Sequence, residues 1–196
     1  MSKRDKPLGA TLGWKRLATR YPFVTQWLRL RQDRVRIEDK GDFTFTYREA
    51  PDAVAVVPVT RDRKIVLVRQ YRYTVDDWCL EVPAGGTHDR TGIPLEEVAL
   101  EELHEEIGAT CERARLIPVA VTYTVNAISD EKLHLFLALD VELVARPQPE
   151  DTELLSVEAM PVAEALDMAR LGKIKDSQSA LSILLCEDLL RQYGYL

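Results

Sequence analysis

The stretch LEEVALEELHEEIG, residues 95–108, holds six glutamates and no lysine or arginine. At helical pitch Glu102, Glu105 and Glu106 stand at i, i+3 and i+4, so their carboxylates share one face. Leu103, Ile107, Leu100 and Ala99 fall on an adjoining face. The pairs Glu97/Glu101, Glu101/Glu105 and Glu102/Glu106 are like-charged at i, i+4, and each costs such a helix about 0.2–0.5 kcal/mol. Two readings fit: a solvated acidic face, or a carboxylate set for a hard divalent cation. Mg²⁺ or Mn²⁺ suits the second reading, because such ions take oxygen ligands, commonly one or two carboxylates with water and substrate phosphates. His88, His104 and His134 form no recognisable set, and His104 points away from the acidic face.

The elements that must position these carboxylates are legible around them. Pro94 opens the helix and Gly108 closes it. Upstream, AVAVVPV and KIVLVRQYRY are short β-rich runs separated by the turn TRDR, and WCLEVPAGG follows, leading into a loop through Gly92. Downstream the patterning predicts strands around 113–124 and 132–144, a loop ARPQPEDTE, a strand near 154–160, and helices near 161–171 and 177–192. RVRIED and DFTFTYRE alternate around KGD, which predicts a hairpin at residues 34–49. Pro51 and Asp52 mark a boundary, which divides the chain into an extension, 1–51, and a main domain, 52–196. Strands surround one central helix with more helix at the end, a mixed α/β sandwich without internal repeats.

Composition narrows the classes. The chain has 196 residues, 46% hydrophobic and 30% charged, enough for one globular domain with a sizeable core and a small appendage. Cys79, Cys111 and Cys186 lack metal-ligand spacing, and their odd number suits a reduced, cytoplasmic setting. Apolar runs are too short to span a bilayer, so no membrane partner is expected. The net charge of −6 hides an asymmetry: residues 1–36 carry ten Lys/Arg against two Asp/Glu. Such a basic arm suits a polyanion. Its cations are interrupted by Trp14, Leu17, Tyr21, Phe23, Trp27 and Leu30, which also suits packing on an acidic body or partner subunit. No helix-turn-helix, zinc-finger or RNA-binding pattern accompanies it, so no nucleic-acid partner is expected.

EELHEEIGA, 101–109, resembles the second half of the Nudix box, with Glu102, Leu103, Glu105, Glu106 and Gly108 in the family places. Three positions depart from it: Glu101 stands where the family has Arg, Ile93 where it has the first Glu, and Thr87 where spacing puts the first Gly. VRQYRY, 68–73, and LEVPAGG, 80–86, resemble the segments preceding the box in the ADP-ribose pyrophosphatase and nucleotide-sugar branch. SDEKLHLFLALDV, PEDTE and EALDMARLGKIKDSQSALSILL follow that branch in order.

This resemblance implies a Nudix-type α/β/α sandwich of mixed sheets with a small N-terminal β-rich extension that packs between the subunits of a homodimer. It implies a metal-dependent hydrolase that cleaves the diphosphate of a nucleoside diphosphate linked to a sugar. ADP-ribose is favoured, giving AMP and ribose 5-phosphate, with GDP-mannose or another nucleotide sugar as the alternative. A non-catalytic nucleotide-binding module and a different activity on the same fold stay open, since fold alone does not choose among them.

Residue by residue, the branch places metal on Glu102, Glu105, Glu106 and the backbone carbonyl of Ala84. Arg72 matches an arginine that meets substrate phosphate, for which a planar guanidinium suits paired hydrogen bonds. A strand-edge salt bridge is its other reading, and Arg69 is a second candidate. Trp27 either stacks on the base or packs in the dimer interface. Asn126 and Ala127 replace the usual Pro-Gly pair past the box, and the Asn126 amide can read a sugar or base. The general base in this branch often comes from an acidic loop rather than the box. Here that loop is PEDTE, where Asp151 aligns with a catalytic Glu and Glu150 and Glu153 lie beside it. The catalytic candidates are therefore Glu102, Glu105, Asp151 and Glu153.

Overall fold

The computed structural model describes residues 6–87, 92–148 and 154–196. Asp151, Glu153, Glu150 and His88 lie outside the described residues. The chain divides into two compact units, one holding the chain up to Ala50 with Tyr123–Glu131, the other Pro51–Thr122 with Lys132–Leu196.

In the first unit a short helix α1 (Pro7–Thr11) precedes strands β1 (Trp14–Val24), β2 (Arg29–Ile37) and β3 (Gly41–Arg48), which form an antiparallel sheet in that order. From Trp14 onward the basic stretch is thus strand rather than arm. Its turn is closed by Thr25, whose Oγ1 accepts from the backbone N–H groups of Trp27 and Leu28. β1 is exposed along nearly all its length, so it carries no inside-outside alternation from which a strand can be read. β2 alternates because it has something to bury. Arg31 and Asp33 lie inside, with Arg31 Nε 3.0 Å from Asp33 and Nη1 2.7 Å from Glu49. Buried charge of this kind persists only when paired and hydrogen-bonded. The segment Tyr123–Glu131 joins this unit through the Arg48–Glu131 ion pair at 2.9 Å and the Ala50 N–H to Asp130 at 3.0 Å.

The second unit is built on β4 (Ala53–Val59), β5 (Lys64–Arg72), β6 (Asp77–Glu81) and β7 (Ala84–Gly86), followed by α2 (Leu95–Ile107) and β8 (Ala109–Thr110). β9 (Leu116–Tyr123), β10 (Lys132–Leu139), β11 (Glu142–Leu143) and β12 (Leu155–Pro161) come next, then α3 (Val162–Arg170), α4 (Ser177–Leu185) and α5 (Glu187–Gln192). The main sheet runs β12-β5-β4-β10-β9, with β6 on β5 and β7 on β4. β4 and β10 are parallel, whereas β12 and β6 are antiparallel to β5.

Both sheet faces are covered, which is why β4 is apolar at every position. Val54 and Val56 pack with Val66, Val68 and the α2 residues Val98, Ala99, Leu103 and Ile107. Ala55, Val57 and Val59 pack with Ile65, Leu67 and the carboxy-terminal helices through Val162, Leu166, Ile183 and Leu190. This is the α/β/α sandwich the sequence predicts. The long strand expected over 132–144 breaks at Asp140, whose φ is 57°. The last helix divides at Cys186, which is fully buried. Among the described residues no helix is long and apolar enough to cross a membrane.

The segment before α2 is pinned by the last helices. Ser179 Oγ accepts the Val82 N–H at 3.0 Å and donates to Asp176 at 2.6 Å, and the Asp176 carboxylate caps α4. Removing the hydroxyl strands a buried N–H, which costs about 1–3 kcal/mol. Ser179→Ala should therefore lower Tm by roughly 2–4 °C for each kcal/mol lost, measured by calorimetry. An unchanged Tm would show that the bond contributes nothing.

Candidate active site

α2 carries its carboxylates to the backbone of β7. Pro94 starts the helix with φ −57° and ψ 141°, and Gly108 ends it in the left-handed region at φ 63°. A Cβ at Gly108 would run into the Ala145 backbone, and the Gly108 carbonyl accepts from the N–H groups of Val144 and Ala145 at 2.9 and 3.0 Å. The chain therefore crosses the helix end closely. Gln148 N–H then bonds the Glu105 carbonyl at 2.7 Å, and at the far side of the acidic loop the Leu154 carbonyl accepts from Tyr71 at 3.1 Å.

Within the helix the glutamates differ. Glu102 is buried at 7% exposure, although its side chain ends in a carboxyl group. Its carboxylate lies against Gly85, where a Cβ would overlap it. One turn on, Glu106 is half-buried and accepts the Ala84 N–H at 3.3 Å. Glu105 and Glu101 are exposed. The fold thus seats Glu102 and Glu106 against Ala84–Gly85, one turn of helix over three residues of strand. Among the described residues no three His, Cys, Asp or Glu side chains close on one point. Two carboxylates against the strand backbone still fit Mg²⁺, which uses one or two carboxylates and completes its shell with water and substrate.

The candidate arginines separate. Along β5 successive side chains face opposite ways. Arg72 shares the face of Val66 and Val68, which pack toward α2, and Arg69 the face of Ile65 and Leu67. Arg72 pairs with Glu81, its Nε 2.8 Å from Oε1 and its Nη2 on Oε2. That hydrogen bond, foremost, holds the guanidinium above its ordinary pKa against burial, and the charges of Glu81, Glu106 and Asp176 add to it. Arg69 instead lies over the Trp78 ring at 5.2 Å and 3.8 Å from Glu158. Trp27 and Asn126 belong to the first unit, each exposed in a turn.

Sequence reasoning passed over Glu81 and the fit of Gly85 to Glu102. Glu81 stood in LEVPAGG as an acid inside a half-buried strand, a signal in itself, since such acids need a partner. The contact at Gly85 is non-local and leaves no trace beyond the glycine.

The model of the NUDIX domain matches residues 49–180. The chain belongs to the NUDIX family. Relatives include the ADP-ribose pyrophosphatase of Bacillus subtilis (strain 168), 31% identical over 134 residues, 68% of this chain and 70% of that protein. The methanol dehydrogenase activator of Bacillus methanolicus is 30% identical over 179 residues, 90% of this chain and 94% of its own. A crystal structure of an ADP compounds hydrolase has the same fold, with a TM-score of 0.79 over 93% of this chain and 97% of the other at 17% identity. The NUDIX match takes in α2, β7 and Arg72 and ends within α4.

Proposed function

We propose that the chain is a metal-dependent hydrolase of nucleoside diphosphates linked to a sugar, with ADP-ribose first. The observation that carries this reading is the seating of Glu102 and Glu106 against Ala84–Gly85, with Arg72 within electrostatic reach of Glu106. It is supported by relatives named ADP-ribose pyrophosphatase and ADP-sugar pyrophosphatase. Glu102, Glu106 and the Ala84 carbonyl would hold Mg²⁺ or Mn²⁺, with Glu105 at the margin. Such an ion neutralises charge on phosphate oxygens and acidifies water. Arg72 binds the diphosphate, and Asp151 or Glu153 takes the proton of the attacking water. Trp27 and Asn126 are assigned to the nucleoside and sugar ends. Trp14, Phe43 and Phe45 are exposed on the first unit and favour a second copy of the chain as their cover. The free thiols Cys79, Cys111 and Cys186 suit the cytoplasm.

A second reading rests on the relative named a methanol dehydrogenase activator, whose match spans 90% of the chain. In that reading the chain serves a dehydrogenase. One panel separates the two: nucleotide sugars and dinucleotides with Mg²⁺ and Mn²⁺, products analysed, and a methanol dehydrogenase assayed with and without the chain. AMP with ribose 5-phosphate is the expected product, and GMP with mannose 1-phosphate would move the specificity. Stimulation of the dehydrogenase without cleavage of any nucleotide sugar would support the second reading instead. Cleavage of nucleoside triphosphates alone would overturn the first.

A further inference from the structure

We propose that Glu81 is a positioning residue that fixes which edge of the Arg72 guanidinium meets the diphosphate. The inference rests on the reading above, in which Arg72 binds that group. A guanidinium presents five N–H donors in a rigid planar fork. Glu81 occupies the edge formed by Nε and Nη2. The end of the fork, Nη1 with the outer N–H of Nη2, is left as a paired donor edge. Two oxygens of a phosphate match such an edge.

Burial sets the direction of this pair. The Glu81 side chain is 12% exposed and that of Arg72 45%, so the acid stands behind and the guanidinium in front. Glu81 is itself held by the ladder, opposite Val68 in the register of β5 and β6. The other carboxylates whose charge acts on Arg72 are Glu106 and Asp176, and Asp176 is already engaged by the Ser179 hydroxyl and N–H. Without Glu81, the arginine would be drawn onto a carboxylate assigned to the metal. Glu81 therefore does two things through one contact: it orients the fork, and it keeps the fork off the helix.

The test measures binding of ADP, with Mg²⁺ present, by calorimetry on the full chain, and turnover in parallel. The proteins are the wild type, Glu81→Gln, Glu81→Ala, Arg72→Ala and the Glu81→Ala/Arg72→Ala double variant. Glu81→Ala should weaken ADP binding about ten- to a hundred-fold, the range typical when a group that orients a binding side chain from behind is lost. Glu81→Gln should fall between, because an amide offers one acceptor oxygen to the two N–H groups. In the Arg72→Ala background Glu81→Ala should add little further loss, because its effect runs through Arg72. A merely structural Glu81 would add its full loss there, and that result overturns the proposal. Wild-type affinity in Glu81→Ala overturns it too, as does a wild type that does not bind ADP. ADP bound by the wild type in the expected pattern, without turnover of any nucleotide sugar, would sink the hydrolase and leave the role of Glu81 standing.

Discussion

Glu102→Gln should fold normally and lose about 10²–10⁴-fold in turnover, the scale of several kcal/mol of charge stabilisation at the reacting phosphate. The substitution keeps the volume that lies against Gly85 and removes only the charge. Stability should hold or rise slightly, because Glu102 and Glu106 repel each other at i, i+4 and relief of such a pair is worth about 0.2–0.5 kcal/mol. A variant that is more stable and less active is the mark of a charge kept for function. Metal binding gives a second readout independent of turnover. Mg²⁺ or Mn²⁺ at a hundred times its dissociation constant stabilises the folded state by about 2.7 kcal/mol, so it should raise the Tm of the wild type and leave that of Glu102→Gln nearly unmoved. Activity that survives EDTA, or an equal metal-induced shift in both proteins, would refute the assignment.

Gly85→Ala should cost roughly 10²-fold in turnover, although it removes no functional group. A methyl at this position falls on the terminal atoms of the Glu102 side chain. The far end of a side chain gives way more readily than backbone, so the strand should persist, paired with Val54, while the carboxylate moves aside. A misplacement near 1 Å is worth about two orders of magnitude at a reacting centre. The check is kcat beside a thermal melt. Full activity in Gly85→Ala would mean that the carboxylate has no fixed place in the reaction, and a collapsed melt would mean that the backbone, not Glu102, took the strain.

The local patterns of the sequence were enough for most elements of the second unit. AVAVVPV and KIVLVRQYR read as strands because burial on both faces leaves a dense β-branched run with turn residues at its ends. The acidic helix was bounded correctly because a proline before it and a glycine after it act through their own φ and ψ, which neighbours scarcely alter. β1 stayed illegible for the opposite reason: a strand exposed on both sides repeats nothing at period two.

Sequence alone determined that Glu102, Glu105 and Glu106 share a face of one helix, since i, i+3 and i+4 are fixed by helical pitch. It did not determine which of them would be buried. That depended on β7 lying across the first and last of the three, and Gly85 and Ala84 meet Glu102 and Glu106 from seventeen and twenty-two positions away in the chain. The two arginines divided in the same way. Their spacing put them on opposite faces of β5, but only the packed structure shows that one face leads to α2 and to Glu81, the other to Trp78 and Glu158. Local geometry is written in a few neighbouring residues. A buried carboxylate, or an arginine held at one edge, depends on which distant backbone the hydrophobic layers bring against it, and that is set by the folding of the whole sheet.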